Sequence, residues 1–582
     1  MNARGQSQFI AKLKRSKGSA GYFRLALIGL SLASILVASA LNAAEKEKVE
    51  KADKKSESSQ FAQPNVSAPK GGTITLNLQE EPPTLHPIMS SDYYSALVQG
   101  YVMDTLLIND LNTWDWAPRL AEKWEISKDK KVFTFHLRKN SLFHDGHPVT
   151  AEDVKFSFDA IFEPKYKAAQ KRPYYEGIDK VEVIDPYTVK VTTKDTYFQN
   201  FISIAQMSIL PKHIYSDVEK SQKMTRQLVG SGPFSLDKFE KGQKLVLKRF
   251  DKWYGFTDDH WRGYYNFDQM VYRFVKEENV ALEMVKKGDF DFMEFLQPEV
   301  YMQKTQGAPW GQTVFKNQVE NSAAKGYFYM GFNFRKDLFK DKNVRLAMAH
   351  LMNREEMNKK FRYEMSHLAT GPEYLQSDYA SKSVKPIPFD PAKAVELLNK
   401  AGWKDTEKKG VLQKVINGKP VEFRFTLIHA SKDREKYWTM YREDLKKVGI
   451  DMEIRLLEWN SFLKLTDEGN FDAMAMGWSG TIDWDPKQIW HSSNAIPGGS
   501  NFIAYKNIEV DKLIDKARVE IDRPKRMQML RKVYEMIAND VPYIFMFNDK
   551  YYLYANSNKV VKPGATMKYD VGNDIWWSAA KP

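Results

Sequence analysis

The segment 471–486 combines residue types suited to hold a ligand that has both flat and charged parts. A short apolar run ends in glycines and a proline, so we predict a buried strand that stops at a loop. The loop begins at Gly477 and carries two indoles and two carboxylates, which are Trp478, Asp483, Trp484 and Asp485. Loops at strand ends are favoured places for ligand contacts in open α/β sheets. The segment is therefore a candidate binding loop, and the alternative is an acidic turn that buries a tryptophan in the core.

The elements that must position this loop alternate between strands and helices. Hydrophobic periodicity predicts strands at 423–428 and 451–457, with a helix at 433–448 between them that stops at Gly449. A further helix begins at Trp459, before the apolar run at 473–476. This strand–helix–strand succession predicts a parallel α/β lobe.

Several segments resemble those of one known family. Gly477-Trp478 followed by Asp483-x-Asp485-Pro486 is similar to the ligand loop of the family 5 extracellular solute-binding proteins, the oligopeptide- and dipeptide-binding components of ABC importers. Other similar segments follow in the order expected for that family, at 116–125, 133–139, 143–154, 230–234, 331–333, 343–347 and 458–463. The resemblance extends from about Gly71 to the C-terminus, and such an order is not expected by chance.

The resemblance implies a two-lobed α/β fold of the type II periplasmic binding protein class, with the extra domain of the oligopeptide-binding proteins and mixed sheets joined by hinge crossings. We expect lobe I at 70–112, 186–320 and 546–582, the extra domain at 113–185, and lobe III at 321–545. The resemblance also implies that Tyr327, Tyr329 and Trp459 border the ligand. The alternative for Trp459 is a place in the core, where tryptophan is usually found.

One position departs from the family pattern. Peptide binders of the family carry an Asp three residues before the acidic residue of the acid–proline pair, where it meets the α-ammonium group of the ligand. That register falls on Ile482 here, one residue before Asp483. Either Asp483 or Asp485 takes the role in a loop lengthened by one residue, or the ammonium clamp is absent and the ligand is not a peptide with a free amino terminus.

The resemblance implies a periplasmic receptor that captures oligopeptides between two lobes and delivers them to the permease subunits and ATPases of an ABC importer. The sequence contains no zinc-protease His-Glu-x-x-His, no Gly-x-Ser-x-Gly elbow and no P-loop, so we predict that it is not an enzyme. Two alternatives remain open. One is the same fold with a nickel, haem-like or sugar-based ligand, and the other is a chaperone-like periplasmic protein without a transport role.

The N-terminal segment predicts secretion. Residues 1–44 carry six basic and no acidic residues, an apolar run at 25–41 and an alanine-rich end, which is typical of a signal peptide; the alternative is a retained membrane anchor. Loss of those six charges lowers the net charge from +13 to +7, which predicts an ordinary surface rather than a nucleic-acid interface. The chain has no Cys for lipid attachment, so we expect a free periplasmic monomer with a disordered leader at 45–69.

Histidines near a carboxylate raise a metal alternative. His136, His144, His147 and Asp145 are residue types that ligate zinc, but Asp-Gly-His-Pro is also ordinary turn chemistry. The absence of Cys excludes thiolate metal sites and disulfides. We expect neither a metal nor a cofactor.

Overall fold

Three sheets organise the fold in this computed structural model, which describes residues 60–579 except 91, 167, 169, 170, 296, 497 and 498. The described residues from Gln63 onward form one compact unit. The predicted signal peptide lies outside the described residues, as does most of the predicted leader. Among the described residues, no helix has the length and apolar character needed to cross a bilayer.

The seven-stranded sheet is mixed, because its central strand is parallel to both neighbours while the outer pairs are antiparallel. Its strands in spatial order are Val314–Val319, Tyr552–Ser557, Phe292–Glu294, Thr73–Leu78, Gln269–Phe274, Lys244–Arg249 and Phe234–Glu240.

The six-stranded sheet contains the predicted parallel lobe. Its strands in spatial order are Ser366–Leu368, Tyr543–Asp549, Tyr327–Phe332, Ala473–Trp478, Arg424–His429 and Asp451–Leu456. Arg424–His429 is parallel to both of its neighbours, and the helix Glu435–Lys447 makes the crossover to Asp451–Leu456. The prediction of a strand–helix–strand unit before the candidate loop is therefore confirmed.

The four-stranded sheet is antiparallel throughout, in the order Ala121–Ile126, Val132–Leu137, Thr188–Thr193 and Ile178–Asp185. Because Ile178–Asp185 and Thr188–Thr193 form one hairpin, the expected boundary between 185 and 186 lies inside this sheet. The expected boundary between 545 and 546 likewise cuts the strand Tyr543–Asp549, which pairs in the six-stranded sheet to its end. Both points fall within paired β structure, and the domain limits stay predictions.

Three two-stranded pairs complete the β structure: Leu107–Asn109 with Trp116–Pro118, Gln413–Ile416 with Lys419–Glu422, and Val560–Val561 with Trp577–Ser578. The α-helices are Tyr93–Val102, Ala151–Phe162, Phe198–Ala205, Lys212–Tyr215, Val218–Ser221, Glu278–Lys287, Pro298–Gln303, Lys342–His350, Arg354–Arg362, Pro391–Lys400, Glu435–Lys447, Trp459–Asp467, Lys487–Trp490, Ile508–Arg518 and Arg523–Asp540.

The core lies on both faces of the six-stranded sheet. Every residue of Tyr327–Phe332 is buried, because side chains that alternate along the strand enter two different clusters. Phe328 and Met330 pack into one cluster, while Tyr327 and Tyr329 pack into the other. Both faces of the sheet are therefore covered by apolar side chains, and the loops at its strand ends extend from a packed scaffold.

Candidate functional site

A cavity of about 640 Å³, which we call cavity A, lies at the carboxyl ends of the strands Arg424–His429 and Ala473–Trp478. Its walls also include the amino end of Tyr327–Phe332 and the carboxyl end of Tyr543–Asp549. Parallel strands bring their carboxyl ends to one edge of a sheet, which explains why segments distant in the sequence meet here.

One wall of cavity A is an unpaired strand edge. Ala473–Trp478 pairs with Tyr327–Phe332 along its whole length. On its other side the pairing with Arg424–His429 ends at Ala475, so residues 476–478 have a strand partner on one side only. These three residues line the cavity, and a Cβ on Gly477 would come within 3.5 Å of the Arg434 guanidinium. Main-chain groups of this segment are therefore accessible from the cavity.

Arg434 places a positive charge in cavity A. Its guanidinium lies 4.7 Å from the centre of the Phe328 ring, and it has no hydrogen-bond acceptor among the residues that the structure describes. Burial lowers the pKa of Arg434, and the charge of Arg362 lowers it further. Arg362 differs, because Ser366 and Asp549 accept its hydrogen bonds. Arg434 is therefore the cavity cation that is available to an anionic group.

His429 borders the same cavity and carries a buried nitrogen without a partner among the described residues. Its side chain is 1% exposed, and its Nδ1 lies 3.1 Å from the carbonyl oxygen of Ser431. A carbonyl oxygen only accepts, so Nδ1 carries the proton and Nε2 keeps a lone pair. Nε2 has no partner among the described residues. Desolvation lowers the pKa of His429, which favours the neutral ring.

Two indoles give cavity A its apolar surface. The Trp459 side chain is 51% exposed and stacks on Phe462 with ring centres 5.7 Å apart. Trp478 is held between Phe502, at 5.8 Å and an interplanar angle of 5°, and Tyr329, at 6.4 Å and 15°. The exposed face of Trp459, which Phe462 supports from behind, is well suited to contact ligand side chains, while Trp478 is held in place as part of the wall.

A second cavity of about 540 Å³, cavity B, lies against the seven-stranded sheet and is acidic. Ala323 lines cavity B and Ala324 lines cavity A, so one short segment separates the two. The carboxylates that line cavity B are those of Glu294, Asp570 and Asp574. Burial raises the pKa of all three, and burial together with the charge of Asp570 raises that of Asp574 to about 6. Charged carboxylates are therefore disfavoured here until a cation joins them.

The acidic loop after Trp478 is occupied by internal partners. The Asp483 carboxylate lies 3.1 Å from Arg526 and 3.4 Å from Arg523, and it accepts hydrogen bonds from Trp114 at 2.8 Å and Tyr379 at 3.0 Å. The Asp485 carboxylate lies 2.9 Å from Arg518 and accepts a 2.6 Å hydrogen bond from Tyr197. Neither carboxylate lines cavity A or cavity B.

Residues 115–499 match the family described as "Bacterial extracellular solute-binding proteins, family 5 Middle". The chain belongs to this family. Among its relatives, the oligopeptide-binding protein AppA of Bacillus subtilis is 29% identical over 530 residues, covering 88% of this chain and 92% of the relative. The dipeptide-binding protein of Escherichia coli is 26% identical, covering 74% and 81%.

Solved structures of solute-binding proteins share the two-lobed fold. AppA of Bacillus subtilis in complex with a nonapeptide matches with a TM-score of 0.67 and 28% identity, covering 88% of this chain and 100% of that one. NikZ of Campylobacter jejuni in complex with Ni(L-His) matches with a TM-score of 0.67, covering 87% and 99%, and its 23% identity shows the fold alone. The expected two-lobed α/β architecture is thus confirmed.

The structure divides the predicted site residues of this solute-binding protein into two groups. Gly477, Trp478, Trp459 and Tyr327 line cavity A. Tyr329 does not, because it is fully buried and stacks on Tyr543 at 3.7 Å.

Trp484 does not line cavity A either, because it is 4% exposed and packs in the core near Tyr379. Asp483 and Asp485 line neither cavity, and arginines and hydroxyl or indole donors surround their carboxylates.

Sequence patterns did not point to His429 and Arg434. The available signal was that His429 ends the strand Arg424–His429 and Arg434 follows it, at the same sheet edge as the candidate loop.

Proposed function

We propose that this protein is a periplasmic receptor that captures extended peptides between its lobes for an ABC importer. The observation that carries the proposal is the open edge of residues 476–478 inside cavity A. An extended peptide can add to such an edge through main-chain hydrogen bonds, which are independent of its side chains. The names of two relatives, an oligopeptide-binding and a dipeptide-binding protein, support a peptide as the ligand class.

Cavity A has a cationic wall residue and cavity B has carboxylates, so we propose that the bound peptide lies with its carboxylate in cavity A and its ammonium group in cavity B. Arg434 suits a carboxylate, either the C-terminus or an acidic side chain, in cavity A. Cavity B has Glu294, Asp570 and Asp574 on its walls and suits an ammonium group. We therefore propose that the carboxylates of cavity B, rather than Asp483, contact the ammonium group of the peptide. This chain has Ile482 at the position where peptide binders of the family carry the Asp that meets the α-ammonium group. The absence of a carboxylate at that position agrees with an ammonium contact elsewhere in the protein.

A metal chelate is the second candidate ligand, and one observation favours it. The Nε2 atom of His429, buried at the wall of cavity A, has a lone pair and no partner among the described residues, and a neutral imidazole nitrogen is a good ligand for nickel once a side-chain movement exposes it. A peptide uses the same atom as an acceptor for one of its N–H groups. Titration with nickel–histidine complexes and with peptides separates the two candidates, and we favour the peptide because the open strand edge has no role with a compact chelate.

Secretion and delivery complete the proposal. The basic and apolar segment at 1–44 predicts cleavage near Ala44 and release of the mature chain into the periplasm. There the monomer would deliver its ligand to the permease subunits and ATPases of the importer. Intact-mass analysis of the periplasmic protein tests the cleavage, and an uncleaved chain in the membrane fraction contradicts it.

Calorimetric titration combined with small-angle scattering tests capture between lobes. We expect a peptide of several residues to bind at one site and to lower the radius of gyration, because lobe closure is the usual response of such receptors. The matched control is the same set of residues as free amino acids. Binding without compaction contradicts closure, and hydrolysis of the peptide contradicts a receptor role.

A further inference from the structure

Three side chains from two segments that are distant in the sequence meet on the surface beside the four-stranded sheet. The Asp145 carboxylate lies 2.6 Å from His213 Nε2 through one oxygen and 3.3 Å from His147 Nδ1 through the other. The two imidazole rings face each other with centres 3.9 Å apart and an interplanar angle of 31°. One potential ligand atom from each of these residues lies within 4.8 Å of the others.

The backbone holds these side chains in place. Asp145 and His147 flank Gly146, whose φ of +92° makes a tight turn with open space beside it. The turn is closed by hydrogen bonds from Gly146 N to the Phe143 carbonyl at 2.9 Å and from Phe143 N to the His147 carbonyl at 2.8 Å. His144 lies within the turn, and its Nε2 contacts the carbonyl oxygen of Gly232 at 3.0 Å, which anchors the turn to that segment.

His213 reaches the cluster from a separate element that is also anchored. It lies on the short helix Lys212–Tyr215, whose first N–H donates to the Asp153 carboxylate at 2.9 Å. The Phe143 ring packs edge-on against the His213 ring with centres 6.0 Å apart. The cluster therefore does not depend on one mobile loop, because two anchored elements bring its members together.

We propose that Asp145, His147 and His213 bind one divalent transition-metal ion, with Zn²⁺ as the best-suited class. Two imidazole nitrogens and one carboxylate oxygen form a common zinc ligand set, and water takes the remaining positions. Zinc bonds of about 2.0–2.2 Å put tetrahedral donors about 3.4 Å apart, so small rotations of these exposed side chains complete the site. The site is separate from cavities A and B, and it does not depend on the identity of the transported ligand.

The expectation of no metal rested on the turn chemistry of Asp-Gly-His-Pro, and all of the candidate ligands came from residues 136–147. The structure separates them, since His144 uses both ring nitrogens internally and His136 faces Glu125 instead. The third proposed ligand is His213, which lies far from the Asp-Gly-His turn in the sequence, so no known ligand spacing predicts it. Its contribution depends on the packing of the helix Lys212–Tyr215 beside that turn.

Calorimetric titration of the metal-free mature chain with Zn²⁺ tests this site, in protein produced without a polyhistidine tag. We expect one ion per chain, and a loss of affinity of roughly tenfold or more in His213→Ala and in His147→Ala. His136→Ala is the matched control, because it removes an exposed histidine of the same region and should leave binding unchanged. No one-to-one binding by the wild type overturns the proposal, as does wild-type affinity in His213→Ala.

Anomalous diffraction at the zinc edge from wild-type crystals gives a readout that does not depend on folding of the variants. A peak between Asp145, His147 and His213 supports the proposal. A zinc peak at other residues only, or no peak in crystals grown with zinc, overturns it.

Discussion

Trp114 donates a 2.8 Å hydrogen bond from its indole nitrogen to the Asp483 carboxylate, across 369 positions of the chain. Trp114 lies in the turn between Leu107–Asn109 and Trp116–Pro118, whereas Asp483 follows a strand of the six-stranded sheet. Arg526 and Arg523 hold the other oxygen of the same carboxylate. The acidic part of the loop with the strongest sequence signature therefore joins distant parts of the fold, and its two carboxylates line neither cavity A nor cavity B.

Asp483→Asn should lower the stability of the protein more than its affinity for peptide. The substitution leaves Arg526, whose side chain is 4% exposed, without its charge partner. Breaking a buried pair costs about 3 kcal/mol or more, and urea unfolding measures that loss. Glu468→Gln, at an exposed carboxylate of the same lobe that lines neither cavity, is the control and should change neither property. Unchanged stability with a large loss of peptide affinity would return Asp483 to the ligand site.

Arg434→Gln should weaken binding of peptides that have a free carboxylate by about 2 kcal/mol, the typical worth of a charge-assisted hydrogen bond. Amidation of the peptide C-terminus should cost a similar amount, and the two losses should not add if they remove one contact. Calorimetric titration of both proteins with both peptides makes this comparison. Arg424→Gln, which removes an exposed and already paired arginine, is the control. Additive losses would place the carboxylate elsewhere.

Asp574 should make the stability of the ligand-free protein fall as the pH rises from about 4 to about 6. Burial and the charge of Asp570 raise the pKa of Asp574 to about 6, so the folded state binds a proton that the unfolded state has already released. The stabilisation is complete below the ordinary Asp pKa and is lost as the pH passes the raised value. Urea unfolding of Asp574→Asn should show a flatter pH dependence over this window.

Asp259→Asn, at an exposed carboxylate, is the control for that experiment and should keep the wild-type slope. Peptide binding near pH 6 should also release a proton, because an ammonium group in cavity B favours charged carboxylates. Titration in buffers of different ionisation enthalpy measures the release. An identical slope in wild type and Asp574→Asn would contradict the raised pKa.

Trp459→Ala should reduce peptide affinity and leave stability nearly unchanged, because half of this side chain is exposed in cavity A. We expect a loss of about 1–3 kcal/mol in affinity, the range of an aromatic contact residue. Trp490→Ala is the matched contrast, since that indole is fully buried and its removal should cost about 3–5 kcal/mol of stability. Thermal unfolding and titration of both variants separate the two roles, and equal stability losses would place Trp459 in the core.

Sequence patterns predicted the architecture better than the chemistry of the site. Periodicity located Arg424–His429 and Asp451–Leu456 correctly, because burial imposes repeating patterns on each strand and helix. Gly477 and Trp478 end a buried strand and line cavity A, and their contact with a ligand stays a prediction. The role of Asp483 was not predictable, because its partners Trp114 and Arg526 are distant in the sequence. Local sequence does not show whether a carboxylate is already paired.

Mass spectrometry of the small molecules that co-purify with the mature protein from the periplasm is the most direct test of peptide capture. The protein is isolated without denaturation, its ligand is released by acid, and an Arg434→Gln preparation serves as the comparison. We predict peptides of mixed sequence and narrow length range, because main-chain pairing at residues 476–478 is tolerant of side chains. Their amount should fall in Arg434→Gln. Recovery of a nickel chelate or another single non-peptide compound, in place of peptides, would contradict the account.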